Sequence, residues 1–435
     1  MRILQLTPGT GSFYCGTCVR DNALVTELRR QGHDALLVPL YLPAILDEPA
    51  ATPKMPILFG GINVYLQQKS RLFRRTPRWV DRLFDGEGLL RQVASRAGMT
   101  SARELGELTL STLRGEEGKQ LKELERLVEW LRTEGRPDVV CLSNILLLGL
   151  ARRIREGTGA AVVCTLQGED SFLDSLPEPE RTQAWDTLAE RARDVDAFVA
   201  VSRYYGDLMQ ERAKLPPARV HTVHCGITLE GYEERSEPPT VPTVGYLARL
   251  SRLKGLERLV SAYEILRERN RVPGLRLHAA GTMTAADEPF VAGLQERLAA
   301  QGYGNEVEFR PNLEREEKIA FLRGLSVFSV PTTYGESFGL YLLEAMAAGV
   351  PVVQPRHAAF PEVLKATGGG LLCGPDDSGA LAAGLESLLL DPEQARRLGN
   401  TGREAVHSRF SATMMARGVL EVFDRARKRA VSLAA

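Results

Sequence analysis

One chain pattern occurs twice in this sequence: an apolar segment, a turn-rich loop, an amphipathic segment and a second apolar segment. The first copy comprises Arg2–Thr7, then Val19–Gln31 with Gly32 behind it, then Ala35–Pro39. The second copy comprises Thr243–Tyr246, Leu256–Glu268 and Arg276–Ala280. A buried strand, a helix and a second strand form the repeating unit of doubly wound parallel sheets. The sequence therefore predicts an α/β protein with two Rossmann-like domains that face each other across a cleft.

The domain boundary is predicted in a segment rich in Glu, Ser and Pro, Glu233–Pro242, whose composition suits an exposed linker. A chain of 435 residues has the length of two or three domains. We therefore assign residues 1–236 to the first domain and 237–410 to the second. Ile62–Gln67 resembles a strand, and residues of about 70–135 are predicted to form a helical insertion in the first domain.

The composition excludes several classes of protein. The 55 basic and 55 acidic residues balance, which argues against a nucleic-acid partner, and aromatic residues make up only 6%. Six cysteines are too few for a disulfide scaffold, so a cytoplasmic location is expected. The longest uncharged apolar run, Val139–Ala151, is too short to cross a membrane. The basic and apolar stretch at residues 69–84 is either a solvated helical face or a peripheral contact with anionic lipid.

The strongest chemical signal lies between residues 326 and 362. Its apolar and turn residues predict a strand at Ser326–Val330, a tight loop, and a helix from about Leu340 to Ala348. A helix N-terminus attracts phosphate, and the small residues Ser337 and Gly339 would let a phosphate approach the backbone. Two carboxylates, Glu336 and Glu344, can accept hydrogen bonds from sugar hydroxyls. This arrangement suits a sugar nucleotide with a diphosphate.

A second signal is a pair of cations, Arg249 and Lys254, in the loop after the predicted strand Thr243–Tyr246. Ligands of doubly wound folds bind at the carboxyl ends of the strands, so both side chains would reach into the cleft. Two cations at this place can stabilise a diphosphate leaving group as negative charge develops on it.

Together these motifs resemble glycosyltransferase family 4, a family of retaining enzymes with the GT-B fold that use nucleotide sugars. ESFGLYLLE at Glu336–Glu344 looks like the family's E-x7-E motif, and ARLSRLKG at Ala248–Gly255 looks like its diphosphate clamp. The similarity covers most of residues 243–410 and is looser in the first half. The resemblance also implies that a C-terminal helix, residues 411–435, packs back on the first domain.

The resemblance implies a role for each matching position. Arg249 and Lys254 would hold the pyrophosphate, Glu336 would contact the transferred sugar, and Glu344 would contact the ribose. Further donor contacts are implied for Gly16, Asn312, Leu313, Ser337, Phe338, Gly339 and Leu340. On the acceptor side, Gln167 stands where the family commonly carries a histidine, and Asp170 is the neighbouring polar candidate. Catalysis is assigned to Glu336, Arg249 and Lys254, with no metal and no cofactor.

The implied reaction transfers a hexosyl group from a UDP- or GDP-sugar to the hydroxyl of a sugar, a small molecule or a lipid-linked glycan. Three alternatives stay open. A GT-B nucleotide-sugar epimerase would need acid–base residues at the sugar, which Gln167 argues against. A non-catalytic nucleotide-sugar binder would bind tightly without turnover. A redox protein could use Cys15 and Cys18, whose spacing is that of a redox pair.

Overall fold

The computed structural model describes residues 1–9, 16–43, 46, 48–52, 64, 66–68, 102–232 and 239–434. The chain divides into two compact units, which we describe separately: Met1–His224 with Met415–Ala435, and Cys225–Met414. The division falls twelve residues before the boundary predicted at 236 and 237. Most of the predicted linker, residues 233–238, lies outside the described residues, as does the stretch at 69–84.

The first unit contains a parallel sheet of six strands. They are β1 (Arg2–Thr7), β2 (Asp34–Pro39), β3 (Val139–Leu142), β4 (Ala161–Leu166), β5 (Ala197–Ala200) and β6 (Val220–Thr222). Their order in the sheet is β2-β1-β3-β4-β5-β6. The chain leaves β1 toward β2 on one side and later returns to place β3 on the other. The carboxyl ends of β1 and β3 therefore form the crevice where ligands of such sheets bind.

Helices cover both faces of this sheet. They are α1 (Gly16–Arg30), α2 (Ala102–Leu113), α3 (Leu121–Trp130), α4 (Ala151–Thr158), α5 (Asp170–Asp174), α6 (Glu180–Arg191) and α7 (Arg203–Arg212). Successive residues of β1 point to opposite faces, as the pleat of a strand requires. Ile3 packs in the cluster that contains Leu24 and Leu28 of α1. Leu4 and Leu6 pack in the other cluster, with residues of α3 and α4. Both faces are thus buried, which explains why apolar residues stand next to each other in the strand, as at Ile3 and Leu4.

The strand predicted at Ile62–Gln67 is wrong for the part of it that the structure describes. Val64 and residues 66–68 are helical. Val64 is buried in the core, and the Gln67 amide donates to Glu123 Oε1 at 2.9 Å. Gln68 Oε1 accepts a hydrogen bond from Gln120 at 3.1 Å. Spacings of three and four residues put Val64, Gln67 and Gln68 on one helical face, and contacts with the segment at residues 120–130 favour that geometry over a strand.

The second unit also contains a parallel sheet of six strands. They are β7 (Thr243–Leu247), β8 (Arg276–Gly281), β9 (Val307–Pro311), β10 (Val327–Phe328), β11 (Val352–Pro355) and β12 (Gly370–Cys373), in the order β12-β11-β10-β7-β8-β9. Its helices are α8 (Leu256–Arg269), α9 (Glu288–Ala300), α10 (Arg315–Arg323), α11 (Leu340–Ala347), α12 (Phe360–Thr367), α13 (Ser378–Leu390) and α14 (Pro392–Arg409). The predicted strand Ser326–Val330 is shorter than expected.

A last helix, α15 (Ala412–Ala434), follows the second unit in the chain. From Met415 onward it belongs to the first unit. Met415, Val419 and Phe423 are buried in the same core cluster as Ile3 and Leu24, so this helix and α1 share one face of the first sheet. Within the described ranges, no helix has both the length and the apolar composition needed to cross a bilayer.

Candidate functional site

The second sheet has its topological switch between β7 and β10. These strands are neighbours, with Val244 opposite Val327 and Gly245 opposite Phe328. From β7 the chain continues to β8 on one side, and from β10 it continues to β11 on the other. The loops that follow the two strands therefore diverge and leave a crevice at the carboxyl edge. They carry Arg249 and Lys254 after β7, and Glu336 after β10.

Three polar side chains surround one oxygen of Glu336. The Lys254 ammonium lies 2.6 Å from Glu336 Oε2. The hydroxyls of Tyr341 and Tyr334 donate to the same oxygen at 2.9 and 3.1 Å. Lys254 also donates to the Tyr334 hydroxyl. Glu336 is only 7% exposed, so this carboxylate is almost fully withdrawn from water and depends on these three partners.

The cluster keeps Glu336 ionised. Burial alone would raise the pKa of the Glu336 carboxyl, but the charge of Lys254 and hydrogen bonds from Lys254, Tyr341 and Tyr334 hold that pKa below its ordinary value. Burial and the adjacent carboxylate raise the pKa of Tyr341 well above its ordinary value. Tyr341 therefore stays a hydroxyl donor. At neutral pH, Glu336 can accept hydrogen bonds and has no proton to give.

Backbone contacts fix the two loops against each other. Gly255 has a φ of +76°, and a Cβ on it would lie 1.8 Å from the Pro331 carbonyl oxygen. Only glycine allows the start of α8 to approach the β10 loop this closely. The Thr333 N–H donates to the Leu253 carbonyl at 3.0 Å. From the loop after β11, the Ala359 N–H donates to the Glu336 carbonyl at 3.2 Å.

Arg249 has a different acidic partner from Lys254. Its Nε donates to Asp287 at 3.2 Å from Oδ1 and 3.1 Å from Oδ2. The Arg249 side chain is 47% exposed, whereas that of Asp287 is 8% exposed. Burial would raise the pKa of Asp287, but hydrogen bonds from Thr284 and Arg249 overcome this and hold it below its ordinary value. Arg249 and Lys254 are predicted from the sequence to form one clamp. In the structure each pairs with a different carboxylate: Arg249 with Asp287, and Lys254 with Glu336.

The second glutamate of the motif, Glu344, lies on helix α11 itself. Its Oε1 lies 2.7 Å from the ammonium of Lys318, which belongs to α10 and is 9% exposed. Helix α11 begins at Leu340 behind Gly339, which offers no capping side chain. Ser337 and Phe338 are buried just before it. The small residues Ser337 and Gly339 thus lie next to an uncapped helix N-terminus, an arrangement that suits an anion.

Asn312 and Leu313 follow β9 at the same edge of the sheet. Asn312 has a φ of +56°, and its side chain is exposed but engaged with the loop after β8. Its Oδ1 accepts from the Met283 N–H at 3.1 Å, and its Nδ2 donates to the Met283 carbonyl at 3.3 Å. Leu313 is half-buried. The amide of Asn312 therefore braces two loops of the carboxyl edge.

In the first unit, the candidate residues lie at the carboxyl edge of the sheet. Gly16 is exposed and begins α1. Gln167 follows β4, and its Nε2 donates to the Ser143 carbonyl at 2.6 Å. Asp170 begins α5, is 9% exposed, and its Oδ1 has no hydrogen-bond partner within the described part of the chain. Burial raises the pKa of Asp170. Cys18 is buried, and Cys15 lies outside the described residues.

Glu169, the other acidic residue beside Gln167, has its side chain turned inward. Its carboxylate accepts hydrogen bonds from the N–H groups of Gln167 and Gly168, both at 2.9 Å, and from the Tyr205 hydroxyl at 2.9 Å. Burial raises its pKa despite these bonds. Glu169 therefore anchors the loop after β4, and Asp170 is the acidic side chain left for the site.

Sequence reasoning missed four side chains around the donor-side residues: Asp287, Lys318, Tyr334 and Tyr341. Tyr334 and Tyr341 lie two residues before and five residues after Glu336, so the local sequence contained a signal. Asp287 lies 38 residues from Arg249 and Lys318 lies 26 residues from Glu344. Only the sheet order and the helix packing bring these distant partners together.

Two family models match this chain. The model described as "Glycosyl transferases group 1" matches residues 232–405, which contain the whole second-unit site. The model described as "Glycosyltransferase Family 4" matches residues 93–230. Together the two matches cover the greater part of the chain.

Curated relatives are similar over part of the chain. An MMP alpha-(1->4)-mannosyltransferase from Mycolicibacterium hassiacum is 30% identical over 54% of this chain and 55% of its own length. A glycogen synthase from Mycobacterium tuberculosis is 26% identical over 72% of this chain and 73% of its own length. A D-inositol 3-phosphate glycosyltransferase from Thermobifida fusca is 29% identical over 52% of this chain. This chain thus spans about half the length of the first and the third of these relatives.

Solved structures agree in fold over nearly the whole chain. A sucrose-phosphate synthase from Thermosynechococcus elongatus aligns with a TM-score of 0.69 at 19% identity, over 100% of this chain and 99% of its own. HepE from Anabaena, solved in complex with UDP, aligns with a TM-score of 0.66 at 15% identity, over 98% of this chain and 100% of its own. These likenesses confirm the predicted GT-B fold. The two family models and the curated relatives show that the chain belongs to glycosyltransferase family 4.

Proposed function

We propose that this protein transfers a hexosyl group from a nucleotide diphosphate sugar to an acceptor hydroxyl, with retention of configuration. One observation carries the proposal: Lys254 and an ionised Glu336 form a 2.6 Å pair at the switch point of the second sheet. Beside this pair lies the N-terminus of α11, which has no side-chain cap. A cation, a hydroxyl-binding carboxylate and a helix N-terminus together suit a sugar diphosphate.

The proposed reaction breaks the bond between the anomeric carbon and the diphosphate oxygen, and its electron pair stays on that oxygen. The acceptor oxygen forms a bond to the anomeric carbon on the same face. The acceptor's hydroxyl proton goes to an oxygen of the departing diphosphate. Arg249 and Lys254 would stabilise the negative charge that develops there, as preorganised cations can do without reorganisation.

Glu336 would orient the transferred sugar. Because its pKa is held low, its carboxylate accepts hydrogen bonds from sugar hydroxyls over the whole neutral range. An epimerase needs a group that exchanges protons near neutral pH, which Glu336 is not tuned to do. Glu344 would accept from the ribose hydroxyls, and the N–H groups at the start of α11 would face the phosphates.

We propose a UDP- or GDP-sugar as the donor. The support is the printed description of relatives and neighbours: a mannosyltransferase, a glycogen synthase and a HepE structure that contains UDP. The acceptor would be a sugar, a small molecule or a lipid-linked glycan. Gln167 and Asp170, at the carboxyl edge of the first sheet, are the candidates to contact the acceptor or the transferred sugar. Gly16, at the start of α1, would face the donor phosphates.

The reaction is proposed to need no metal and no cofactor, because two cationic side chains stand where a diphosphate must be neutralised.

We also propose that the protein works in the cytoplasm, on the basis of its few cysteines. The basic segment at residues 69–84 would hold it at anionic membranes. Co-sedimentation with vesicles of phosphatidylglycerol and, as the control, of phosphatidylcholine tests that contact.

The decisive experiment screens UDP-, GDP- and ADP-sugars for thermal stabilisation and then for release of nucleoside diphosphate. Lys254→Ala should lower turnover by at least about a hundredfold, because it removes charge stabilisation of the leaving group. Glu336→Gln keeps the shape of the side chain and should lower turnover by about tenfold or more. The matched control is Lys365→Ala, an exposed lysine of α12. If the Lys254 variant turned over as fast as this control, the assignment would fail.

A further inference from the structure

The residues on either side of Arg249 are held by the end of β8 and by the residue that follows it. The Leu250 N–H donates to the Thr282 carbonyl at 2.9 Å, and the Ala248 N–H donates to the Ala280 carbonyl at 3.2 Å. Gly281, between these acceptors, has a φ of +134°, and a Cβ on it would lie 1.9 Å from the Ala248 carbonyl oxygen. The backbone around Arg249 is therefore set by the end of β8 and by Thr282.

The side chain of Arg249 is fixed by Asp287, which lies between β8 and α9. Its Nε contacts both oxygens of Asp287. No hydrogen bond or ion pair involves its terminal Nη1 and Nη2 groups anywhere in the part of the chain that the structure describes. An arginine that is held by Nε keeps its two terminal amino groups for another ligand. These groups donate several parallel hydrogen bonds, and a phosphate accepts them well.

The Asp287 carboxylate binds Arg249 and does not cap the helix that it precedes. It occupies the N-cap position of α9, yet its side chain makes no capping hydrogen bond. Its Oδ2 accepts from the Thr284 N–H at 3.0 Å and from the Thr284 hydroxyl at 2.7 Å. The remaining acceptor capacity goes to Arg249. The carboxylate gives up the stabilisation that capping would supply and instead orients a half-exposed arginine.

We propose that Asp287 is a positioning residue for the donor diphosphate, which acts by presenting the two terminal amino groups of Arg249. The inference rests on the proposed function. A free arginine must lose the motion of its long side chain when it binds a phosphate, and Asp287 removes most of that motion before the ligand arrives. Its negative charge weakens the attraction of Arg249 for anions, so the benefit is one of geometry.

The test is Asp287→Asn, combined with Arg249→Ala in a double-mutant cycle. An asparagine oxygen in the place of Oδ2 can still accept from Thr284, while its amino group replaces Oδ1 and faces the Nε of Arg249. Arg249 thus loses one of its two acceptors and its ion pair. The matched control is Glu288→Gln, which removes the exposed carboxylate next to Asp287. Calorimetry measures binding of UDP, GDP and ADP to the wild type, to each variant and to the double variant, and melting temperatures are recorded without ligand.

We expect Asp287→Asn to weaken binding of the preferred nucleoside diphosphate by about tenfold, and Glu288→Gln by less than about twofold. In the Arg249→Ala background, Asp287→Asn should have no further effect, because there is no arginine left to orient. Equal or tighter binding by the single variant overturns the inference. So does an equal loss in both backgrounds, which would mark a merely structural role. If the wild type binds none of the three diphosphates, it is the proposed function itself that fails.

Discussion

Replacing Tyr341 by phenylalanine removes one hydroxyl from the cluster around Glu336 and changes little else. That hydroxyl donates to Glu336 Oε2 at 2.9 Å, and Tyr341 is 8% exposed. A hydrogen bond to a charged group contributes about 1.5–3 kcal/mol. Lys254 and Tyr334 still contact the same oxygen in the variant, so we expect the lower end of that range. For a unit of this size the melting temperature should fall by about 3–6 °C.

The pH dependence separates the hydrogen bond from a packing effect. The folded pKa of Glu336 is lowered, so its contribution to stability is present above the unfolded pKa and is lost as the pH falls through the folded pKa. The Tyr341 hydroxyl is one cause of that lowering. The difference in melting temperature between wild type and Tyr341→Phe should therefore be constant from about pH 8 to pH 5 and should shrink below that range.

The assay is differential scanning fluorimetry of both proteins across this range, without ligand. Tyr303→Phe is the matched control, since that half-exposed ring packs edge-on against Tyr263, with 6.0 Å between the ring centroids. It should change the melting temperature by less than about 1 °C. A Tyr341→Phe difference that is absent at neutral pH, or that persists unchanged in acid, would show that the hydroxyl does not stabilise the charged form of Glu336.

Four further expectations concern Glu344, two glycines of the second unit and the absence of a metal requirement. Glu344→Gln should weaken nucleoside diphosphate binding by about tenfold by calorimetry, and unchanged affinity would remove the residue from the site. Gly281→Ala should destabilise by about 2 kcal/mol or more, because its Cβ would meet the Ala248 carbonyl oxygen at 1.9 Å. Gly293→Ala in α9, with no atom within 4 Å of the added Cβ, should instead stabilise by about 0.5–1 kcal/mol, and thermal melts compare the two. Turnover in EDTA should stay within about twofold of the untreated enzyme, and a larger loss would contradict the absence of a metal requirement.

Local sequence was enough to predict the elements that frame the site. Strand β1 has the predicted bounds, and β7, β8, α8 and α11 differ from their predicted ends by a single residue. Their apolar runs are long and end at Gly, Pro or charged residues. Periodicity alone therefore predicts both the type and the ends of these elements. The strand prediction for Ile62–Gln67 failed at Val64 and at residues 66–67, which the structure describes, because apolar spacing there fits a strand and a helix equally well. There the decision came from Glu123 and Gln120, more than fifty residues away.

The site was predicted as a set of residues and not as a set of contacts. Arg249, Lys254 and Glu336 were each proposed from loops next to predicted strands. That Lys254 pairs with Glu336 and Arg249 with Asp287 depends on the sheet order, which puts β7 between β10 and β8. No local pattern marks Asp287, because an aspartate before a helix is ordinarily interpreted as a cap.

The first unit is built from two separate stretches of chain, and this sets the order in which the protein can mature. Phe423 and Val419 of α15 complete the core beside Ile3 and Leu24. On the ribosome, the strands of the first sheet emerge early but lack this helix until all of Cys225–Met414 has been made. The second unit is one continuous stretch of chain and needs no later segment to complete its core. The second unit is thus expected to finish folding first, while the first unit keeps an exposed apolar face that chaperones can bind.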